Sequence, residues 1–363
     1  HEELSGVRIM AYTTIDDPSQ YFQTATYTGN GGTQNITNDG NSDLQPDWVW
    51  IKDRTSANDH KLTDSSRLSS GNPTLTLESN TNIAEFNDTD STTAYLTDGF
   101  SIGANGNINT NGNEYVAWQW KANGGTLTTV SESGSNPGHT RQTNATAGFS
   151  IIRYTGTGSV GTIAHGLGIV PDFIILKRLE TADNWRTYDS IGGGTKAMRL
   201  NLTGGHGTSS SFFNDTDATS SVFTLGTNSE INGDGEPYIA YVFGSVKGYS
   251  KIGAYKGVGN TDGNFVYTGF KPAFFMIKGI DVSGYWVMFD NKRNLPNGTG
   301  KRLGAQASDA EYGSTNIDFL SNGFKIRSSS GSSDDNNNGS TYFYMAFAEH
   351  PFVSSKGVPT TAR

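Results

Sequence analysis

The apolar residues of this chain fall in short runs separated by Gly, Asn, Ser and Thr, and no stretch keeps the 3.6-residue apolar period of an amphipathic helix. The strongest run is written three times, as Pro46-Asp-Trp-Val-Trp-Ile-Lys52, Pro171-Asp-Phe-Ile-Ile-Leu-Lys177 and Pro272-Ala-Phe-Phe-Met-Ile-Lys278. Each is a proline, then aromatic and β-branched residues without polar alternation, then a lysine. That pattern predicts a strand buried on both faces, with the proline at its edge where a missing N–H is tolerated. Around the first copy the pattern predicts strands at 21–27, 34–36, 48–52, 61–62, 74–77, 94–96, 100–102 and 115–121. About eight short strands in roughly a hundred residues, with turn residues between them, is the signature of a β-sandwich or jelly roll. One helical turn is expected after Asp17, which stands as an N-cap before Pro18.

The flanks of the three runs match as well. Upstream of each lies Tyr-x-Gly-x-Gly, at Tyr27/Gly29/Gly31, Tyr154/Gly156/Gly158 and Tyr255/Gly257/Gly259. Downstream, Asp64, Asp189 and Asp290 each follow the lysine by 12 residues, and four residues before them stand His60, Trp185 and Trp286. Each copy closes on a Tyr-x-Ala-aromatic string, at Tyr115 to Trp118, Tyr238 to Tyr241 and Tyr344 to Phe347. The expected fold is all-β: three tandem β-sandwich, jelly-roll-like pseudo-repeats with little helix, each about one small domain long.

The expected organisation is residues 1–121 for a lead-in and first repeat, 122–148 for a Gly/Ser/Thr-rich linker or surface excursion, 149–247 and 248–353 for the second and third repeats, and 354–363 for a polar tail. A strand is expected at 7–10 in the lead-in. The long 122–148 segment suggests that the first repeat is the more independent lobe and that the other two pack closely.

Composition narrows the function classes. The 363 residues carry 46 glycines, no cysteine and a net charge of −9. Thiolate metal sites and disulfide staples are excluded, no run approaches the ~18–20 apolar residues of a membrane span, and the acidic balance opposes nucleic-acid binding.

Candidate chemistry is sparse. Phe86-Asn-Asp-Thr-Asp90 and Phe213-Asn-Asp-Thr-Asp217 match letter for letter. Their oxygens, at Asp88, Asp90, Asp215 and Asp217, suit Ca2+, although an Asx-type turn explains the same residues. A glycosidase needs two acids ~5–9.5 Å apart, one with a raised pKa, and acids in solvated Asn/Asp/Thr loops do not offer that. The recurrent Asp64, Asp189 and Asp290 read as strand-end residues, His60 as packing, and His165 as a turn marker. No nucleophile elbow or phosphate-cradling loop is present. Trp48, Trp50, Trp118 and Trp120 read as core rather than as sugar-stacking residues.

Several strings together resemble a known family. Thr13-Thr-Ile-Asp-Asp-Pro-Ser-Gln-Tyr-Phe22, the Tyr-x-Gly-x-Gly openings, Tyr115-Val-Ala-Trp118, Tyr344-Met-Ala-Phe-Ala-Glu-His-Pro-Phe352 and the closing Gly357-Val-Pro-Thr-Thr-Ala-Arg363 are similar to repeat proteins of tailed phages, notably marine cyanophages. That family is described as virion structural or tail-fibre-like. The resemblance implies a non-enzymatic protein of the virion surface: a tail fibre, capsid decoration or appendage subunit. Its expected partners are other virion proteins, copies of itself and host-surface glycans, without nucleic acid, membrane insertion or a required cofactor. A glycan-degrading tailspike is the alternative.

Overall fold

A computed structural model describes residues 12–293, 300–315, 317–329 and 333–359, so the strand expected at 7–10 lies outside the described residues. The fold is all-β and every strand pairing is antiparallel. Helix among the described residues is confined to turns of three or four residues, none long and apolar enough to cross a membrane. The expected turn is there: Pro18–Gln20 is a 3-10 turn capped by Asp17, whose carboxylate accepts from the Ser19 N–H at 3.1 Å.

Three sheets share one strand order, which can be named by its landmarks as tyrosine strand, closing strand, proline strand and aspartate strand. In the first sheet these are Phe22–Thr28, Glu114–Trp120, Trp48–Asp53 and Lys61–Asp64. In the second they are Phe149–Thr155, Pro237–Phe243, Phe173–Arg178 and Arg186–Asp189. In the third they are Ser250–Lys256, Thr341–Pro351, Phe270–Gly279 and Val287–Asp290. The registers agree too. Trp48 pairs with Asp64 on one side and Trp120 on the other, Phe173 with Asp189 and Phe243, and Phe274 with Asp290 and Phe347.

Because side chains alternate across a strand, each sheet has two apolar faces to bury. One face packs on the sheet's own smaller partner sheet, making a local sandwich. The first partner is built from Gln34–Ile36, Phe100–Ile102 and Thr92–Tyr95, the second from Gly161–Ala164 and Val222–Leu225, and the third from Phe265–Tyr267, Gly323–Ile326 and Ile317–Leu320. The other faces of all three sheets meet in one shared core. There Trp48 stacks on Tyr241 of the second sheet (4.3 Å between centroids), Phe22 on Phe347 of the third (5.1 Å), and Phe173 packs on Phe343 (4.6 Å). Trp48, Trp50, Trp118 and Trp120 are all buried in it, as expected for core residues.

Three expectations need correction. The first sheet is not an independent lobe, since its tryptophans form the middle of the common core. Residues 122–148 are not a plain linker. They carry strands Thr128–Val130 and His139–Asn144, and the latter pairs along Phe149–Thr155 and extends the second sheet. Polar residues with few large apolar side chains suit a strand whose role is to cover an edge rather than to fill a core. The third closing landmark is Tyr342, not Tyr344. Tyr255 pairs with Tyr342 and stacks on it at 5.3 Å, as Tyr27 does on Tyr115 (5.1 Å) and Tyr154 on Tyr238 (5.1 Å).

Candidate functional site

The Tyr-x-Gly-x-Gly strings end the tyrosine strands and have a steric cause. A Cβ on Gly29, Gly156 or Gly257 would lie 2.3 Å from the carbonyl oxygen of Thr110, Gly233 or Asn337 respectively. Gly31, Gly158 and Gly259 hold φ of +74°, +66° and +67°, a region open to glycine. A buried asparagine that the sequence reading missed faces each turn. Asn109, Asn232 and Asn336 accept from the N–H between the two glycines, of Asn30, Thr157 and Val258, at 2.8, 2.9 and 3.0 Å. Their amides donate to Gly103, Gly226 and Ser328 carbonyls at 2.7, 2.7 and 2.6 Å. These strings are structural clamps, each held by its buried asparagine.

The recurrent aspartates and their upstream aromatics lie at the seams between sheets. Asp64 accepts from the Tyr241 hydroxyl of the second sheet at 2.7 Å, and Asp290 from the Trp118 indole of the first at 3.0 Å. Each also holds a fully buried arginine three residues on, Arg67 or Arg293, at 2.6 Å. At Asp189 both partners differ: Met345 stands where Tyr241 and Trp118 stand in the other sheets, and the His206 ring lies 2.7 Å from the carboxylate. The Trp185 indole donates to the Glu78 carbonyl of the first sheet's chain (2.9 Å), and the Trp286 indole to the Arg199 carbonyl (3.0 Å). His60 accepts from the Trp50 indole through Nδ1, which leaves Nε2–H to donate to the Gly304 carbonyl at 3.0 Å. Burial holds its pKa well below the usual histidine range, as a neutral ring requires.

The lysines that close the proline strands are buried at the same seams. Lys52 donates to the Asp53 carbonyl, Lys177 to that of Arg178, and Lys278 to those of Thr203 and Gly284, at 2.7 to 2.9 Å. Burial lowers each of the three pKa values to about 8. An amine of lowered pKa can be a nucleophile or base. Here the three are separated among three seams, and each ammonium is turned onto backbone carbonyls.

The matched acidic loops are on the surface and differ in conformation. Phe86 lies in the strand Phe86–Asn87, whereas Phe213 ends the turn Ser210–Phe213, with Asn214 and Asp215 following at φ of +52° and +48°. Asp88 accepts from Asn105, and Asp217 from the Gly194 N–H. Asp90 and Asp215 are exposed. Among the described residues no three His, Asp or Glu side chains are placed to hold a metal ion. His165 is buried in its turn and accepts from the Leu167 N–H at 3.2 Å.

A half-open pocket borders one of the seams. It lies between the first and third sheets, has a volume of about 190 Å3, and is lined by Thr24, Asp39, Asn41, Asn291, Lys292 and His350 among others. Thr24 is 5 % exposed, and its hydroxyl has no hydrogen-bond partner. Sequence reasoning had no signal for it, because a threonine in a strand of Tyr and Thr is unremarkable alone.

Comparison with known proteins adds a family and little else. The chain matches no curated protein and no solved structure. The DUF7483 family model, a domain of unknown function, matches residues 17–351, which take in all three sheets, and the chain belongs to that family.

Proposed function

We propose that the chain is a non-enzymatic structural protein of a tailed-phage virion surface, a tail fibre, capsid decoration or appendage subunit that contacts host-surface glycans. In this reading the three sandwich units are tandem pseudo-repeats of one unit, folded against each other in a single chain. The observation that carries the reading is the fate of the recurrent ionisable residues. Asp64, Asp290 and Lys278 are fasteners inside seams, and Lys52 and Lys177 are turned onto backbone carbonyls of their own neighbours, so the repeated chemistry is spent on structure. Of the acids in the two matched loops, Asp90, Asp215 and Asp217 are exposed at the surface. The resemblance of Tyr115-Val-Ala-Trp118 and the Tyr-x-Gly-x-Gly strings to phage repeat proteins supplies the setting. The protein associates with other virion proteins and with copies of itself, and it needs no cofactor.

Two measurements test this. Mass spectrometry and antibody labelling of purified particles should find the chain on the virion exterior. Incubation with host-envelope polysaccharide should release no new reducing ends. Absence from particles refutes the structural role, and polysaccharide cleavage by the purified chain refutes the non-enzymatic one.

A further inference from the structure

Beside the aspartate strand of each sheet lies one equivalent register position, and the three sheets fill it differently. In the first it is Glu78, one place along from the Leu62–Leu77 bridge, and it takes the Lys61 ammonium at 2.6 Å. In the third it is Gly304, opposite Val287. In the second it is Arg199, directly opposite Arg186. The seams bear out the correspondence: the backbone carbonyls of Glu78, Arg199 and Gly304 accept from the rings of Trp185, Trp286 and His60 respectively, at 2.9, 3.0 and 3.0 Å.

Like charges directly opposite across two strands repel, and the second sheet neutralises only one of its two. Arg186 lies 4.0 Å from the centroid of the Phe212 ring and pairs with Glu230 of the short helix Ser229–Asn232. Arg199 is half-buried, and among the described residues its guanidinium makes no ion pair and no hydrogen bond. Its Nε is enclosed, but its two terminal amino groups are not, and these are the part of the side chain free to meet a ligand. Arg199 lines a half-open pocket of about 430 Å3, within the ~300–1,000 Å3 of small-molecule sites. The charged residues around that pocket are Arg186, Arg199 and Glu230, which leave one net positive charge in a chain of net charge −9. The carboxylate of the first sheet or the neutral pair of the third would have removed the repulsion, and the second sheet has neither.

We propose that this pocket binds a small carboxylate ligand, held by the guanidinium of Arg199. The two terminal amino groups can donate in parallel to the two carboxylate oxygens. One carboxylate cancels the single surplus charge, whereas a dianionic phosphate would leave negative charge facing Glu230. An acidic sugar of a host-surface glycan as the source rests on the virion-surface reading, whereas the carboxylate chemistry rests on the pocket alone.

The test is a saturation-transfer NMR titration of the full chain with acetate, benzoate, glucuronate and galacturonate, with glucose and inorganic phosphate for comparison. Wild type should bind at least one carboxylate, and Arg199→Gln should weaken it by ~10-fold or more, the scale of a lost charge-assisted hydrogen bond. Thermal melts of the same variant supply a second readout. Arg199→Gln removes a repulsion and no bond, so it should melt no lower than wild type. A variant that fails to fold, or melts well below wild type, shows that Arg199 holds the fold and overturns the proposal. Binding of no carboxylate overturns it, as does binding that Arg199→Gln leaves unchanged. Glucose binding as tightly as glucuronate, or phosphate binding more tightly than every carboxylate, overturns the ligand class. Binding through Arg199 by a chain absent from particles upholds the proposal and removes the virion reading.

Discussion

Replacing Asn232 by alanine should be among the most damaging single changes in the second sheet. The side chain is fully buried and makes three hydrogen bonds: it accepts from the Thr157 N–H at 2.9 Å and donates to the Gly226 and Ser159 carbonyls, both at 2.7 Å. Those bonds join the turn after the tyrosine strand to the short helix before the closing strand and to the smaller sheet. At ~1 kcal/mol net for each bond, with a further ~1–3 kcal/mol for a buried amide left bare, the loss is ~4–6 kcal/mol. Asn232→Asp keeps the acceptor but sets a carboxylate against two carbonyl oxygens, so it should cost at least as much. Urea denaturation read as a midpoint shift at constant slope measures the total. Amide exchange at Thr157 reports the local effect, and its protection should fall with the stability. Asn109 and Asn336 make the matching bonds and should give losses of the same size. A loss under ~1 kcal/mol with Thr157 still protected would refute the claim that the asparagine holds the turn.

The buried lysines set a pH dependence. Lys52, Lys177 and Lys278 titrate at about 8 in the folded chain against an ordinary 10.5, so between those values the unfolded chain binds more protons and stability rises with pH. The rise should start near pH 8 and be clearest up to pH ~10, where the buried tyrosines begin to oppose it; Lys278→Met should reduce it, and a flat profile in urea melts would count against the burial argument. Phe173→Ala should cost ~3–5 kcal/mol, because the ring is fully buried and packs across the seam on Phe343, and a loss below ~1 kcal/mol would mean the core is not shared. Residues 122–247 expressed alone should not stay soluble as a monomer, since Phe149, Ile151, Phe173, Ile175, Tyr241 and Phe243 would lose the other two sheets; a monodisperse, cooperatively melting monomer by light scattering and calorimetry would refute the shared core.

Much of the fold was legible because the proline strands carry their burial on both faces. Pro46, Pro171 and Pro272 mark the same place in three sheets, and the 12-residue interval from Lys52, Lys177 and Lys278 to Asp64, Asp189 and Asp290 is the length of a hairpin with a long loop. What went unread has physical reasons. Tyr344 and Tyr342 point to the same face, because a two-residue slip preserves the alternation that a one-residue slip would break. That slip hid the clamps: Asn109, Asn232 and Asn336 each precede Tyr115, Tyr238 and Tyr342 by 6 residues, and the interval is 8 when counted to Tyr344. The strands in 122–148 were missed because their side chains cover an edge and bury little, so no hydrophobic period betrays them. The common core could not be read at all. A sheet with two apolar faces says that something covers each face, and nothing in the local pattern says whether the cover is the sheet's own partner or a neighbour.

The seams also explain where the chain concentrates its charge. Each sheet reaches back to the one before it, second to first through Tyr241 and third to second through Trp286, and the first closes the ring on the third through Trp118 and His60. The first two seams join segments that follow one another along the chain. The closing seam joins residues some 257 positions apart, as in the Arg54–Glu311 pair, and loop-closure entropy grows with that separation. This is the seam that carries the densest ionic fastening: Glu311 takes Arg54 and Arg293 together, both at 3.0 Å, and Lys292 takes Asp39. Burial alone would raise the Glu311 pKa, but the two guanidiniums hold it down to about 2. A carboxylate lowered in the folded state stabilises above its ordinary value and loses that contribution only as the pH falls through its folded value, so this fastener persists far into acid.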